Sequence, residues 1–303
     1  MTSTVSAAPE AGVLSAAFQT ALARWNRDRL QPRLPSDDPL AALDAEHAMR
    51  RREVAFLEIL RAEIAPAAAE APRDPDAFVD WYADLRRTGP GQHDALFPWL
   101  AEEASLEDVR WYLRQEAAGE AGFDDLVAMT QVKMPEQAKL ELAANYWDEM
   151  GRGNPKGMHG PMLGDLIARL DLKPEIETTC WESLALANAM TAMATNRAYA
   201  WHAVGALGAI ELTAPDRSRA VADGLRRLGL SGKARRYFEL HATLDLRHSA
   251  DWNANAVLPL VREDPRRARA MAEGALIRLT AGRRCFDRYR RELWGEGRAR
   301  SAA

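Results

Sequence analysis

Six histidines are scattered over this chain, and two of them fall in one short stretch, YFELHATLDLRHSADWN, residues 237–253. There His241, Asp245 and His248 are spaced i, i+4, i+7. On a helix of 3.6 residues per turn that spacing keeps the three within about 60° of one another. Imidazole nitrogen and carboxylate oxygen together suit iron, manganese or zinc, and a helix presents them rigidly. On this stretch alone, a polar face turned to water explains the pattern equally well.

A second group is NYWDEMGRGNPKGMHG, residues 145–160. Glu149 falls in the last turn of one helix, His159 opens the next, and the Gly/Pro turn between them folds the two together. The plain alternative is a surface carboxylate and a polar helix start. A third group is QEAAGEAGF, residues 115–123, where Glu116 and Glu120 sit four apart on one helix face. Glutamate-rich helices are common, so this group means little by itself. Together the groups supply three carboxylates and three imidazoles from separate helices. That is enough for two metal ions that keep open positions, whereas one zinc is satisfied by three or four ligands. A nitrogen/oxygen set without thiolate favours iron or manganese over zinc.

The elements that must position these residues are helical throughout. Ala, Leu, Arg and Glu dominate, apolar residues recur at three and four, and no hairpin signature occurs, so the chain reads as all-α. Helices are expected over about 12–30, 40–68, 76–87, 106–130, 136–150, 159–170, 177–211 and 232–250 and in a last helix over 265–293. TAPDRSRAVADGLRRLG reads as a separate shorter helix, which leaves Glu211 at the end of the long buried one. A buried carboxylate has to pair or neutralise, so Glu211 stands beside the ligands, faces the cavity or serves the helix terminus. Tyr237, one turn before His241, lines a substrate pocket or fills core. Tyr146 or Trp147 packs beneath the site. His202 reads as a bundle histidine, and Met190 and Met193 as core filler. APAAAEAPRDP, residues 65–75, divides an N-terminal tail and helical extension (1–75) from the main bundle (76–303).

Bulk properties narrow the function. The chain has 303 residues, 47% hydrophobic and 28% charged, with a net charge of −4. Without a strong basic field, neither nucleic acid nor an anionic membrane is expected as a partner. Cys180 and Cys285 are too few for a disulfide framework, so a reduced, cytoplasmic setting is expected. No secretory leader is expected, and with no run of 18 apolar residues no membrane span is expected either.

The sequence NYWDEMGRGNPKGMHG, followed some 80 residues later by LHATLDLRHS, resembles the iron-containing redox enzyme family, the haem-oxygenase-like diiron oxidases and oxygenases. WESLALANAMTAMATNRAYAWHAVGALGAIELTAP (181–215) is also similar, and the resemblance covers about 76–293. It implies a haem-oxygenase-like bundle of about seven helices, here with an N-terminal helical extension. It implies two non-haem irons, with manganese as the alternative metal, that activate O2 through a peroxo-diferric intermediate. It further implies a monooxygenase or oxidase that acts on a small amine- or carboxylate-bearing metabolite in a biosynthetic pathway, by N-oxygenation, desaturation or C–C cleavage. The ligands it implies are Glu149, His159, His241, Asp245, His248 and, from the preceding helix, Glu120 ahead of Glu116; no catalytic residue is needed beyond them. Some members carry a further carboxylate just before the histidine. GRGNPKGMH has none, so a six-ligand site with a weaker hold on one iron is expected. A homodimer, with the N-terminal residues packed on the bundle or forming the dimer contact, and an external electron donor complete the expectation. The alternative is a cofactor-free binding or biosynthesis protein on the same fold.

Overall fold

A computed structural model of the chain describes residues 12–35, 38–119 and 122–295. Among the described residues there is no strand; the sole β-type pairing is an isolated bridge between Met150 and Met158. The helices are α1 (Ala16–Leu30), α2 (Pro39–Ala69), α3 (Pro75–Thr88), α4 (Leu96–Glu102), α5 (Leu106–Gly119), α6 (Phe123–Thr130) and α7 (Glu136–Glu149). They continue with α8 (His159–Arg169), α9 (Trp181–Thr195), α10 (Ala200–Arg227), α11 (Gly232–Trp252), α12 (Leu258–Glu263) and α13 (Arg266–Trp294). Local chemistry sets the early starts. Ser15, Asp38 and Asp74 each accept a backbone N–H from the first turn that follows, and α2 and α3 carry Pro at the helix start.

Short helices α4 and α12 were not expected, and two boundaries that bear on the site differ. The single helix over 106–130 is two, α5 and α6. Gly122 precedes α6 at φ 71°, in the left-handed region that glycine adopts most readily, and Asp124 and Asp125 then fill the first turn. The second correction concerns 177–229. The break falls not at Thr213–Pro215 but at Asn196, whose side chain accepts from the Ala198 N–H and starts a 3-10 turn, Arg197–Tyr199. From Ala200 the helix α10 runs without interruption to Arg227, with Pro215 inside it. Pro215 lacks the N–H that would bond the carbonyl of residue 211. The buried face nevertheless continues through Leu212, Pro215, Val221 and Leu225, and burial of that face outweighs the lost bond. Glu211 therefore sits in the middle of a helix, not at its end.

Helix α10 is the axis of the molecule and packs against α9, α11 and α13. Its approach to α13 is backbone to backbone. A β-carbon on Gly205 would lie 2.0 Å from the Met271 carbonyl oxygen, and one on Gly274 would lie 1.9 Å from that of His202. Two apolar clusters flank this axis. One gathers Phe56 and Leu57 of α2, Phe78 of α3, Leu207 of α10 and Leu276 of α13, so α2 and α3 share their core with the central helices. The other gathers Phe97, Leu113, Leu225, Phe286 and Tyr289. Trp252, fully buried, closes α11 by donating its indole N–H to the Val204 carbonyl at 3.2 Å; a π-type turn, Asn253–Val257, follows. No helix among the described residues is long and apolar enough to cross a membrane.

Candidate metal centre

The nine residues between Glu149 and His159 form a closed turn. Gly151 and Gly153 have φ of 61° and 79°, and the Met150–Met158 bridge draws the two ends together. A β-carbon on Gly151 would fall 2.4 Å from the Gly157 carbonyl carbon, so the strands of the turn touch only because residue 151 has no side chain. The result sets the last residue of α7 against the first of α8: Glu149 Oε2 lies 2.7 Å from His159 Nδ1, both buried. The two atoms meet without hydrogen-bond alignment, and His159 Nδ1 has no hydrogen-bond partner.

Helix α11 brings the other histidines. His241 packs its ring edge-on against that of His159, with centroids 4.7 Å apart. Its Nδ1 donates to the Tyr237 carbonyl at 2.7 Å, which leaves Nε2 for the interior. His248 is fixed the other way round. Its Nε2 donates to Asp148 Oδ2 at 3.1 Å, and its Nδ1 faces Glu211 Oε2 at 3.4 Å and Asp245 Oδ1 at 4.0 Å. Asp148 is itself held by Arg152 (2.6 Å) and Arg247 (2.5 Å). Adjacent residues at the end of α7 thus divide the work: Glu149 points inward, and Asp148 orients a histidine from behind.

Two groups of possible ligand atoms result. Those of Glu149, His159 and His241 lie within 4.8 Å of one another, as do those of Glu149, Glu211 and His248. Glu149 is common to both. Asp245 is 2% exposed and lies between the two histidines of α11, and its Oδ1 has no hydrogen-bond partner. Buried polar atoms left without partners at Asp245, His159 and His248 are costly in a finished core. Here they converge, and carboxylate oxygen with imidazole nitrogen fits ferrous iron or manganese.

Buried carboxylates crowded together set the electrostatics of the cluster. Burial, then the carboxylates of Glu211 and Glu149, raises the Asp245 pKa to about 10, so it is protonated at neutral pH. Burial works against a charged His248, but Glu211, Asp148 and Glu149 override it and raise its pKa to about 9. Burial lowers the pKa of His241, with His159 adding to the effect against the opposing pull of Glu149. Asp148 is partly desolvated, yet Arg152 and His248 hold it down to about 2.

A cavity of about 200 Å3 opens from this cluster, reached by Glu149, Glu211, His241 and Asp245. Tyr237 lines it and packs its ring at a tilt of 49° against His241, with centroids 4.3 Å apart. Glu116 also lines it, but as the acceptor of the Tyr289 hydroxyl at 2.7 Å and away from both ligand groups. Glu120 lies outside the described residues. Tyr146 packs against the main core instead of the cavity, and Trp147 is 53% exposed. His202 pairs with Glu273 at 3.0 Å and does not reach the cavity. The sequence left Glu211 open between a place beside the ligands, a cavity-facing role and a helix-terminal one, and gave no sign of Asn145, whose amide donates to Glu211 Oε1 at 2.6 Å. The available signal was position: Asn145 is one turn before Glu149, and Glu211 is a lone carboxylate in an Ala/Leu/Gly-rich helix.

A family model described as iron-containing redox enzyme matches residues 110–283, more than half of the chain and every residue of the two ligand groups. No curated protein matches the chain.

Proposed function

The chain belongs to the iron-containing redox enzyme family and is an iron-dependent oxidoreductase, and from that premise we propose a two-metal oxidase or oxygenase that uses O2 to oxidise a small metabolite. The observation that carries this reading is the sharing of Glu149 by two ligand groups. Glu149, His159 and His241 would hold one ion, and Glu149, Glu211 and His248 the other. Asp245 stands beside both and would join them once deprotonated. Glu211 supplies the carboxylate of the second group; Glu120, expected as a ligand, lies outside the described residues. Three carboxylates against two ferrous ions leave a net charge of about +1, which suits an anionic ligand in the open positions. Iron bound there supplies redox equivalents and Lewis acidity.

The rest is done by the chain's own residues. The Tyr237 carbonyl and Asp148 hold the two histidines of α11 by opposite ring nitrogens, so that Nε2 of His241 and, once its proton is released, Nδ1 of His248 aim inward. Leu126, Leu163, Leu186 and Met190 keep the neighbouring cavity apolar and poor in water. A substrate bearing an amine or carboxylate fits a cavity whose wall carries further charged groups.

The test is an anaerobic titration of the full chain with Fe(II), counting bound iron, followed by rapid mixing with O2. Two irons per chain and a transient visible absorbance are expected, with Glu211→Gln retaining about one iron. A single iron whose binding ignores Glu211→Gln, or ferrous protein that O2 oxidises no faster than free iron, would refute the proposal.

A further inference from the structure

The cavity has further charged groups. Besides the carboxylate–histidine cluster, its wall carries two arginines, Arg217 of α10 and Arg278 of α13. Arg217 comes six residues after Glu211, about 9 Å further along the helix axis. Much of the remaining wall is apolar, with Ile210, Ala214, Leu186 and Met190.

Arg217 is held firmly but not satisfied. Its guanidinium lies over the ring of Phe286 at 4.8 Å and that of Phe97 at 5.6 Å. Its Nη2 donates to the Gly91 carbonyl at 3.4 Å and, when the Gln92 amide is turned to present its oxygen, to Gln92 at 2.8 Å. Among the described residues, Nε and Nη1 have no hydrogen-bond partner and no carboxylate forms an ion pair with the group. The carboxylates whose charge reaches it are engaged elsewhere: Glu116 by Tyr289, Asp94 by Arg290. Burial, with the like charge of Arg278 next, lowers its pKa to about 10, which still leaves it a cation at neutral pH. A desolvated cation beside a second cation, with no anion against it, is an expensive arrangement. Gly282 keeps room for that second cation, since a β-carbon there would lie 2.8 Å from Arg278 Nη1. Hydrophobic side chains would fill this wall at lower cost. The arrangement is complete once a planar anion accepts from the Arg217 fork.

We propose that Arg217 anchors the substrate through a carboxylate, holding that group about two helical turns along α10 from Glu211 and leaving the apolar body against the apolar wall. Arg278 reinforces the anchor, and the proximity of Glu116 favours a monoanion over a phosphate dianion. The cavity, of about 200 Å3, suits a small metabolite. This inference rests on the reading that the cavity receives the substrate of the two-metal centre.

The experiment measures binding of straight-chain carboxylates of four to ten carbons, each beside its neutral primary amide, to the chelator-treated full chain by calorimetry at pH 7. At the best-fitting length the carboxylate should bind at least ~10-fold more tightly than its amide. Arg217→Gln should bring the two within about twofold, and Arg217→Lys should retain part of the preference, since a point charge replaces the fork. Both variants are first required to match the parent circular dichroism and its bound-iron count. No preference at any length in the parent chain overturns the proposal. So does a preference that survives Arg217→Gln, or one that His248→Ala removes instead, which would put the anion at the cluster. Normal iron uptake without carboxylate preference sinks the anchor and spares the two-metal reading; carboxylate preference without iron uptake does the reverse.

Discussion

Replacing Asp245 by asparagine should make the metal-free protein more stable, and by an amount that depends on pH. The carboxyl is buried against Glu211 and Glu149 and keeps its proton up to about pH 10. In the unfolded chain an aspartate releases it near 3.9. Between those values the folded state holds one proton more than the unfolded state, so stability falls as pH rises, by about 1.4 kcal/mol per unit. The native protein is therefore destabilised at this position by on the order of 4 kcal/mol at pH 7, relative to a pH at which both states are protonated. Asparagine has the same shape, does not titrate, and offers an N–H to a neighbourhood rich in acceptors. Urea denaturation of chelator-treated protein from pH 5 to 9 reads the effect. The difference between Asp245→Asn and the parent should widen by about 5 kcal/mol over that range in favour of the variant. Parallel pH profiles, or a variant less stable than the parent at pH 8, would show that Asp245 is not held protonated.

Further outcomes follow from the same geometry. Metal uptake should release protons from both Asp245 and His248, whose pKa values are about 10 and about 9; titration calorimetry in buffers of different ionisation enthalpy counts them, and fewer than one at pH 7 contradicts the scheme. Because His248 is raised from 6.5, the stability it contributes is complete below that pH and disappears as pH rises through about 9, which an NMR titration of its ring detects as a late transition. Asp148→Asn should lower that transition and weaken metal binding by roughly 10–100-fold, since the ring loses the group that orients it; unchanged affinity assigns Asp148 to the surface alone. Gly274→Ala should cost at least about 1–3 kcal/mol by forcing α13 off α10, and an unchanged melting temperature would mean that the two backbones are not in contact.

The helical class and the HxxxDxxH face were legible because both depend on spacing within one helix, which the 3.6-residue repeat fixes. The pairing of Glu149 with His159 was legible because GRGNPKG permits little except a tight turn. The carboxylate at the second ligand group was not. Glu211 belongs to α10, whose course through Pro215 is decided by packing against α9, α11 and α13, and a proline preceded by Thr-Ala reads locally as an ending. The reverse happened at Gly122, where one glycine at positive φ divides what periodicity joined. Arg217 was invisible for the same reason as Glu211: in sequence it is one of many arginines among acids, and only the fold reveals that no carboxylate among the described residues forms an ion pair with it.

The closed turn between α7 and α8 also governs how fast the centre could exchange its contents. His241, His248 and Glu211 sit within long helices, where release requires opening much of the bundle. Glu149 and His159 sit at a helix end and a helix start, where backbone bonding is already incomplete. Local opening of residues 150–158 separates that pair while α10 and α11 remain packed. The residence time of a bound ion would then be set by the free energy of one nine-residue segment, far below that of global unfolding, and amide hydrogen exchange in this segment should slow when the centre is filled.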